Sequence, residues 1–233
     1  MADKYPSMSP YNYCVRNPVR LVDPDGRKWM NSKDLSMAMD MLDNVQNVMK
    51  NLKKRNEKYY GKMENLRSNM GKSSVGDFFR MKKLSKLNNE IIDNNQRIEK
   101  LNAFKEGLSL LSNDENTYYT FHADNANLVH PKYDSENSIF TINYCSEENK
   151  IHETTHAIQF CKGALGFKSI ANEVDAYSTQ YSYNPSSVRS IDAGIMGVSN
   201  MSSITPQWVQ SIQVYEYGAD GSKTIKHPYA DFK

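Results

Sequence analysis

Two histidines and a glutamate stand close together in the segment IHETTHAIQF, residues 151–160. Residues four apart lie on one face of a helix, so the rings of His152 and His156 could reach a single metal ion. Glu153 points about 100° away around the helix axis, where its carboxylate could take a proton from a water molecule beside the metal. Composition predicts only about 0.005 accidental matches to this pattern, so we interpret it as a functional motif.

A catalytic zinc ion usually has three protein ligands, so a third donor must come from outside this helix. Glu173 is the best candidate, because NEVDAYSTQY predicts a second helix beyond a glycine-containing loop, which could run back beside the first. Tyr177, one helical turn after Glu173, could donate a hydrogen bond to the oxyanion that forms when water attacks a carbonyl. Tyr181 is the second candidate for that role. The sequence therefore predicts zinc as cofactor, held by His152, His156 and Glu173.

Other interpretations of the same residues stay open. The two histidines of the motif could be satisfied by protein hydrogen bonds, or the domain could have lost its metal and its activity. His122, His130 and His227 each stand alone in a predicted strand or loop, where a surface or hydrogen-bonded histidine is more common than a ligand. Cys14, Cys145 and Cys161 are too scattered to predict a disulfide framework or a cysteine zinc site.

The arrangement of HETTH followed by Asn172 and Glu173 resembles the gluzincin metallopeptidases, over about residues 118–183. In that family the third zinc ligand is the glutamate of an "NE" pair on a following helix, which corresponds to Glu173. The resemblance implies a zincin-like domain that hydrolyses peptide bonds. Asp175 stands two places after Glu173 rather than four, and the spacing between the helices is short, so the pattern does not assign Asp175 as a histidine partner.

The elements around the motif predict an α+β fold. From Ser32 to Ser112, apolar residues recur every three or four positions. This spacing predicts two long amphipathic helices, separated by GKSSVG at 71–76. TYYTFHA and SIFTINYC are rich in β-branched and aromatic residues and predict strands. We expect SIFTINY to be an edge strand that pairs with an extended peptide, which favours a polypeptide substrate. The predicted divisions are 28–115 for the helical hairpin and 116–233 for the metallopeptidase domain.

Charge is unevenly distributed although the net charge is only +2. Residues 50–86 contain 12 lysines and arginines against 3 acidic residues. A solvated face is the favoured interpretation, ahead of a surface for nucleic acid or membrane. No apolar run reaches the roughly 20 residues that a membrane span needs, and the N-terminus has no signal peptide.

The first residues, YPSMSPYNYCVRNPVRLVDPDGR, resemble the end of the RHS-repeat-associated core of bacterial polymorphic toxins. The resemblance covers residues 1–27 and ends in a DPDG turn signal. It implies that the following residues are a toxin, delivered into a target cell by a specialised secretion system and neutralised by a cognate immunity protein.

Together these features predict a zinc-dependent metallopeptidase that acts as the effector domain of an RHS-type toxin on a target-cell protein. One alternative is a helical binding module for an acidic partner, nucleic acid or membrane surface, with an inactive zincin scaffold. Another is a peptidase that cuts its own chain near DPDG. Nucleic acid is not the favoured partner.

Overall fold

A computed structural model describes the chain from Trp29 onwards, with short gaps. The described residues are 29–124, 130–164, 166, 168–194, 196–217 and 222–233. The segment that resembles an RHS core, its DPDG turn and Cys14 lie outside them.

Two long helices form the predicted hairpin. Helix α1 spans Ser32–Ser68 and helix α2 spans Ser74–Ser112. Each begins at a residue whose side chain caps a free backbone N–H: Asn31 accepts from Asp34, and Ser73 accepts from Gly76. The turn between them includes Gly71 at a φ of 86°, a left-handed conformation that glycine adopts without steric cost. The predicted break in the helical pattern is thus confirmed.

The predicted strands belong to a three-stranded sheet in the order β1-β3-β2. Strand β1 (Tyr118–Ala123) is parallel to β3 (Ile139–Tyr144), and β2 (Lys132–Asp134) is antiparallel to β3. The expectation that SIFTINY is an edge strand is wrong, because β1 and β2 pair along its two sides. The error arises because β2 is three exposed residues long and shows no apolar alternation. Among the described residues, the edge of this sheet that remains unpaired is the outer edge of β2, because Trp29 forms an isolated parallel bridge with Tyr119 on the outer edge of β1.

Helices α3 (Glu147–Cys161) and α4 (Ile170–Tyr183) follow the sheet, capped by Ser146 and Ser169 respectively. α3 packs tightly against α2: a methyl group added at Gly107 would lie 2.6 Å from Cδ1 of Ile158. One core therefore joins the lower part of the hairpin, the sheet and α3. This core contains residues from both predicted divisions, 28–115 and 116–233. Among them are Val45, Leu52, Leu101, Leu108, Phe140, Ile142, Ile151 and Ala157.

The rest of the chain packs on the other side of α4. Its elements are α5 (Pro185–Arg189), a 3₁₀ turn (Met201–Ser203), α6 (Pro206–Gln210) and the antiparallel pair β4 (Val214–Tyr217) and β5 (Lys223–Lys226). A second core forms around Tyr177, Tyr181 and Trp208.

The last residues are tied to the beginning of α4. The backbone N–H of Ile170 donates to the carbonyl of Lys233, and the N–H of Lys233 donates to the carbonyl of Lys168. The fold is α+β, as predicted. Within the described residues no helix is long and apolar enough to cross a membrane.

Candidate metal centre

Helices α3 and α4 bring the three predicted ligands together. Nε2 of His152 lies 3.2 Å from Nε2 of His156, and the two nitrogens lie 3.4 and 3.5 Å from the carboxylate oxygens of Glu173. One ligand atom from each residue fits within 4.8 Å of the others. All three side chains are buried. This group could hold a metal ion.

Local geometry explains the convergence. The two histidines occupy successive turns on the face of α3 that packs against α4, as their spacing predicts. The chain reverses between α3 and α4, and two of the described residues there, Gly163 and Lys168, have φ values of 66° and 54°. Glu173 therefore lies in the first turn of α4, opposite the histidines.

The charges of the group favour a cation. Burial alone would raise the pKa of the Glu173 carboxyl, but its contacts with His152 and His156 outweigh burial and lower that pKa well below its usual range. Burial lowers the pKa of His156, whereas the hydrogen-bonding and charge of Glu173 raise it more strongly, to about 9. In the absence of a metal, the ionised carboxylate of Glu173 is therefore balanced by a proton on His156, and a cation that binds here would take the place of that proton.

Unpaired polar atoms support the same conclusion. Glu173 Oε2 is buried, and it makes no hydrogen bond of regular geometry with the described residues, although Nε2 of His152 lies 3.4 Å away. A buried carboxylate oxygen without a donor is costly, and a coordinated cation would remove that cost. Two imidazole nitrogens and one carboxylate oxygen are also the donor types of a catalytic zinc site, so the residues present fit the metal.

A chain of polar contacts orients His156. Nε2 of Gln159 donates to the carbonyl of Asn172 at 3.1 Å and to Oδ2 of Asp175 at 2.9 Å. Because both amide hydrogens are used there, Oε1 of Gln159 must face Nδ1 of His156, 2.9 Å away, and accept its proton. Nε2 of His156 is then left with the lone pair that a metal requires. Lys100 of α2 forms an ion pair with Asp175 and completes the chain.

Glu153, the predicted general base, lies on α3 next to His152. It is buried, and Oε1 accepts a hydrogen bond from Nδ2 of Asn149 at 3.1 Å, while Oε2 has no partner among the described residues. Burial raises the pKa of this carboxyl above its ordinary value. It lines a cavity of about 430 Å³ together with His152 and Tyr177.

Tyr177 lies beside the ligands, with its ring edge on His152 at a centroid distance of 4.4 Å. Its hydroxyl is 3.0 Å from the hydroxyl of Tyr229, and burial raises the pKa of Tyr177 so that the phenol stays neutral. Tyr181, the second candidate for the same role, is elsewhere: its hydroxyl contacts Arg189 and Ser199 in the second core. The structure does not bring Tyr181 to the ligands, because it lies one helical turn beyond Tyr177 and its hydroxyl is held by Arg189 and Ser199.

A second cavity, of about 620 Å³, opens on the other side of the ligands. It is lined by His156 and Glu173 and by a set of mostly apolar side chains: Pro131, Tyr133, Phe140, Phe160, Pro228, Tyr229 and Phe232. Tyr229 and Pro228 line both cavities, so the C-terminal segment lies between them. Among the other histidines, His130 lines this cavity, while His122 and His227 are exposed.

Sequence analysis missed Tyr229 and the Lys100–Asp175–Gln159 chain. Tyr229 is 52 positions from its partner in a polar tail, and Lys100 is 75 positions from Asp175, so no local spacing signals either contact. A role for Gln159 could have been noticed from the sequence, because this residue shares the helix face of His152 and His156.

Comparisons of this chain with protein-family models, with curated proteins and with solved structures return no match. The function is therefore inferred from the residues of the site.

Proposed function

We propose that the chain is a zinc-dependent peptidase with a zincin-like domain. The observation that carries the proposal is a buried His152, His156 and Glu173 group next to a buried glutamate, Glu153, with one free carboxylate oxygen. A structural metal site would have no need of that free oxygen, whereas hydrolysis needs a base there.

A zinc ion held by the two histidines and Glu173 would supply Lewis-acid chemistry, polarising a carbonyl oxygen and making water more acidic. Oε2 of Glu153 takes the proton from the attacking water, while Asn149 holds Oε1 in place. The raised pKa of Glu153 suits a group that later returns the proton to the leaving amine. Tyr177 donates a hydrogen bond from its hydroxyl to the oxyanion, and Tyr229 positions that hydroxyl.

The surroundings of the site favour an extended polypeptide as substrate. The outer edge of β2 carries Tyr133, whose side chain lines the larger cavity. A peptide that adds to this edge as a further strand would pass the ligands and place one side chain among Phe140, Phe160 and Phe232. The substrate strand thus pairs with β2 rather than with β3.

The RHS-like N-terminal segment supplies the proposed context. It supports an effector that is delivered into a target cell, cleaves a protein there and is held inactive in the producing cell by an immunity protein. Self-cleavage near DPDG is tested by the mass of the intact chain, with and without zinc.

The first experiment is elemental analysis of chelator-free protein. We expect about one zinc per chain in the wild type, in keeping with one three-ligand site. His156→Ala and Glu173→Ala should lose it, and His122→Ala, a substitution of an exposed histidine, should keep it. No zinc in the wild type after zinc is supplied would refute the proposal.

Catalysis is tested separately with Glu153→Gln. This variant should retain zinc and fold, but it should lose cleavage of a proteome-derived peptide pool by at least a hundredfold, because the amide cannot take the proton. Cleavage at the wild-type rate would exclude Glu153 as the base.

A further inference from the structure

The outer end of the helical hairpin, which we call the tip and define as residues 66–86, carries an unusual combination of side chains. Four large apolar side chains near the beginning of α2 are more than half exposed: Val75 at 66%, Phe78 at 67%, Phe79 at 62% and Met81 at 57%. None of the residues from Ser74 to Glu90 is buried, so this part of α2 does not contribute to either core. Folding does not explain why these side chains are apolar.

Positive charge surrounds the apolar side chains. Residues 67–86 contain six basic residues, Arg67, Lys72, Arg80, Lys82, Lys83 and Lys86, against one acidic residue, Asp77. Asp77 is already used, since it pairs with Arg80 at 2.7 Å and accepts a hydrogen bond from the N–H of Gly71. Lys82, Lys83 and Lys86 form no ion pair within the described part of the chain. The tip therefore presents unneutralised positive charge.

The two kinds of side chain form one surface. Phe78 and Phe79 touch edge to face at a centroid distance of 5.7 Å. A groove of about 700 Å³ runs between the helices, with Leu66 and Phe79 among its lining residues and Arg80, Lys82, Lys83 and Lys86 also lining it. An apolar groove with a cationic border matches an anionic lipid, whose acyl chains and headgroup have those two properties.

We propose that the tip docks on an anionic membrane surface, with the phenylalanines inserted among the lipids and the lysines on the headgroups. Each lysine or arginine near such a surface adds attraction, and buried apolar area adds the rest. Nucleic acid is disfavoured as the partner, because Val75 and Met81 would gain nothing from a phosphate backbone or from base edges. Helix geometry places Phe78 about 33 Å along α2 from Lys100, so docking leaves the metal centre outside the bilayer.

Vesicle binding tests the proposal without reference to zinc or to peptidase activity. Wild-type protein is floated with vesicles of phosphatidylcholine alone and with vesicles that contain about 30% phosphatidylserine, at low and high salt. We expect binding to the anionic vesicles, weakened by salt, and little binding to the neutral ones. Phe78→Ser with Phe79→Ser, and Lys82→Glu with Lys83→Glu, should each weaken it at least tenfold.

Matched controls separate the tip from general charge and hydrophobicity. Lys53→Glu with Lys54→Glu makes the same charge change at exposed positions of α1 outside the tip, and Ile92→Ser removes an apolar side chain that is 47% exposed. Both should bind as the wild type does. Equal loss in these controls, no binding by the wild type, or preference for duplex nucleic acid over vesicles would overturn the proposal.

Insertion has its own readout. Trp29 and Trp208 are buried, so a tryptophan introduced as Phe79→Trp is the reporter that a membrane would reach. Its emission should shift to the blue with anionic vesicles and be quenched by brominated lipids. Ile92→Trp should show neither change. Emission from position 79 that stays unchanged in bound protein would exclude insertion.

Discussion

The orientation of His156, one of the proposed ligands, depends on residues outside the group of His152, His156 and Glu173. Gln159 accepts from Nδ1 of His156 because its own amide group is fixed by Asp175 and Asn172. Asp175 thus acts on the histidine through an intervening glutamine. His156 and its supporting residues form one network, in which Lys100 neutralises the half-exposed end at Asp175.

Replacing Gln159 with leucine should weaken zinc binding by about ten- to a hundredfold, the effect typical of losing the partner of a histidine ligand. Leucine has nearly the same size, so the helix packing should be kept, but Nδ1 loses its acceptor. Competition with a chromogenic chelator measures the affinity. As a control, Gln207→Leu, at an exposed position of α6, should leave it unchanged. Unaltered affinity in Gln159→Leu would show that the network does not orient the ligand.

Removing the hydroxyl of Tyr177 and removing that of Tyr229 should lower kcat to different extents. Tyr177→Phe should lower kcat by about a hundredfold or more, since it removes an oxyanion donor. Tyr229→Phe removes only the hydrogen bond that positions Tyr177, worth about 1 kcal/mol, so kcat should fall roughly fivefold. Steady-state hydrolysis of a cleaved peptide measures both. A larger loss in Tyr229→Phe would transfer the donor role to Tyr229.

At the scale of elements, α2 supports α3 through close contact at Gly107. A Cβ there would lie 2.6 to 2.9 Å from three side-chain carbons of Ile158, including the branched γ carbons, which cannot easily move. Ile158 directly precedes Gln159 and lies two residues after His156. The contact between α2 and α3 therefore fixes the position of α3 and, with it, the position of the two histidines.

Two glycine substitutions test this contact. Gly61→Ala in α1 meets no atom within 4 Å, so the helix propensity of alanine should raise the free energy of unfolding by about 0.5–1 kcal/mol. Gly107→Ala should instead lower it by about 1–3 kcal/mol, because overpacking exceeds the gain in propensity. Urea denaturation measures both changes. Equal stabilisation in the two variants would mean that α2 and α3 are loosely packed.

At the scale of the whole molecule, the metal centre lies between the two cores. α3 contributes to the core of hairpin and sheet, α4 contributes to the second core, and the three ligands join these helices. A bound ion would therefore tie the two halves of the fold together. The C-terminal segment adds to this arrangement, because Tyr229 packs in the second core and lines both cavities.

Zinc should accordingly raise the melting temperature of the entire chain. At roughly 100 times the Kd, binding to the native state alone stabilises by about 2.7 kcal/mol. Differential scanning calorimetry with zinc and then with excess chelator measures the change. Glu173→Ala should show no dependence on zinc, whereas Glu153→Gln should behave as the wild type. A wild-type melting temperature that changes with neither zinc nor chelator would show that a bound ion does not tie the two halves of the fold together.

Features that depend on residues close together in the chain could be predicted before the structure was known. Helical periodicity, the glycine break and the spacing of His152 and His156 specify α1, α2 and one face of α3, because neighbouring turns fix which side chains share a face. Three other features are visible only in the folded chain. Both edges of β3 are paired with other strands, the hydroxyl of Tyr229 contacts that of Tyr177, and Lys100 forms an ion pair with Asp175. These contacts join residues far apart in sequence, and they follow from how the whole chain packs rather than from any local pattern.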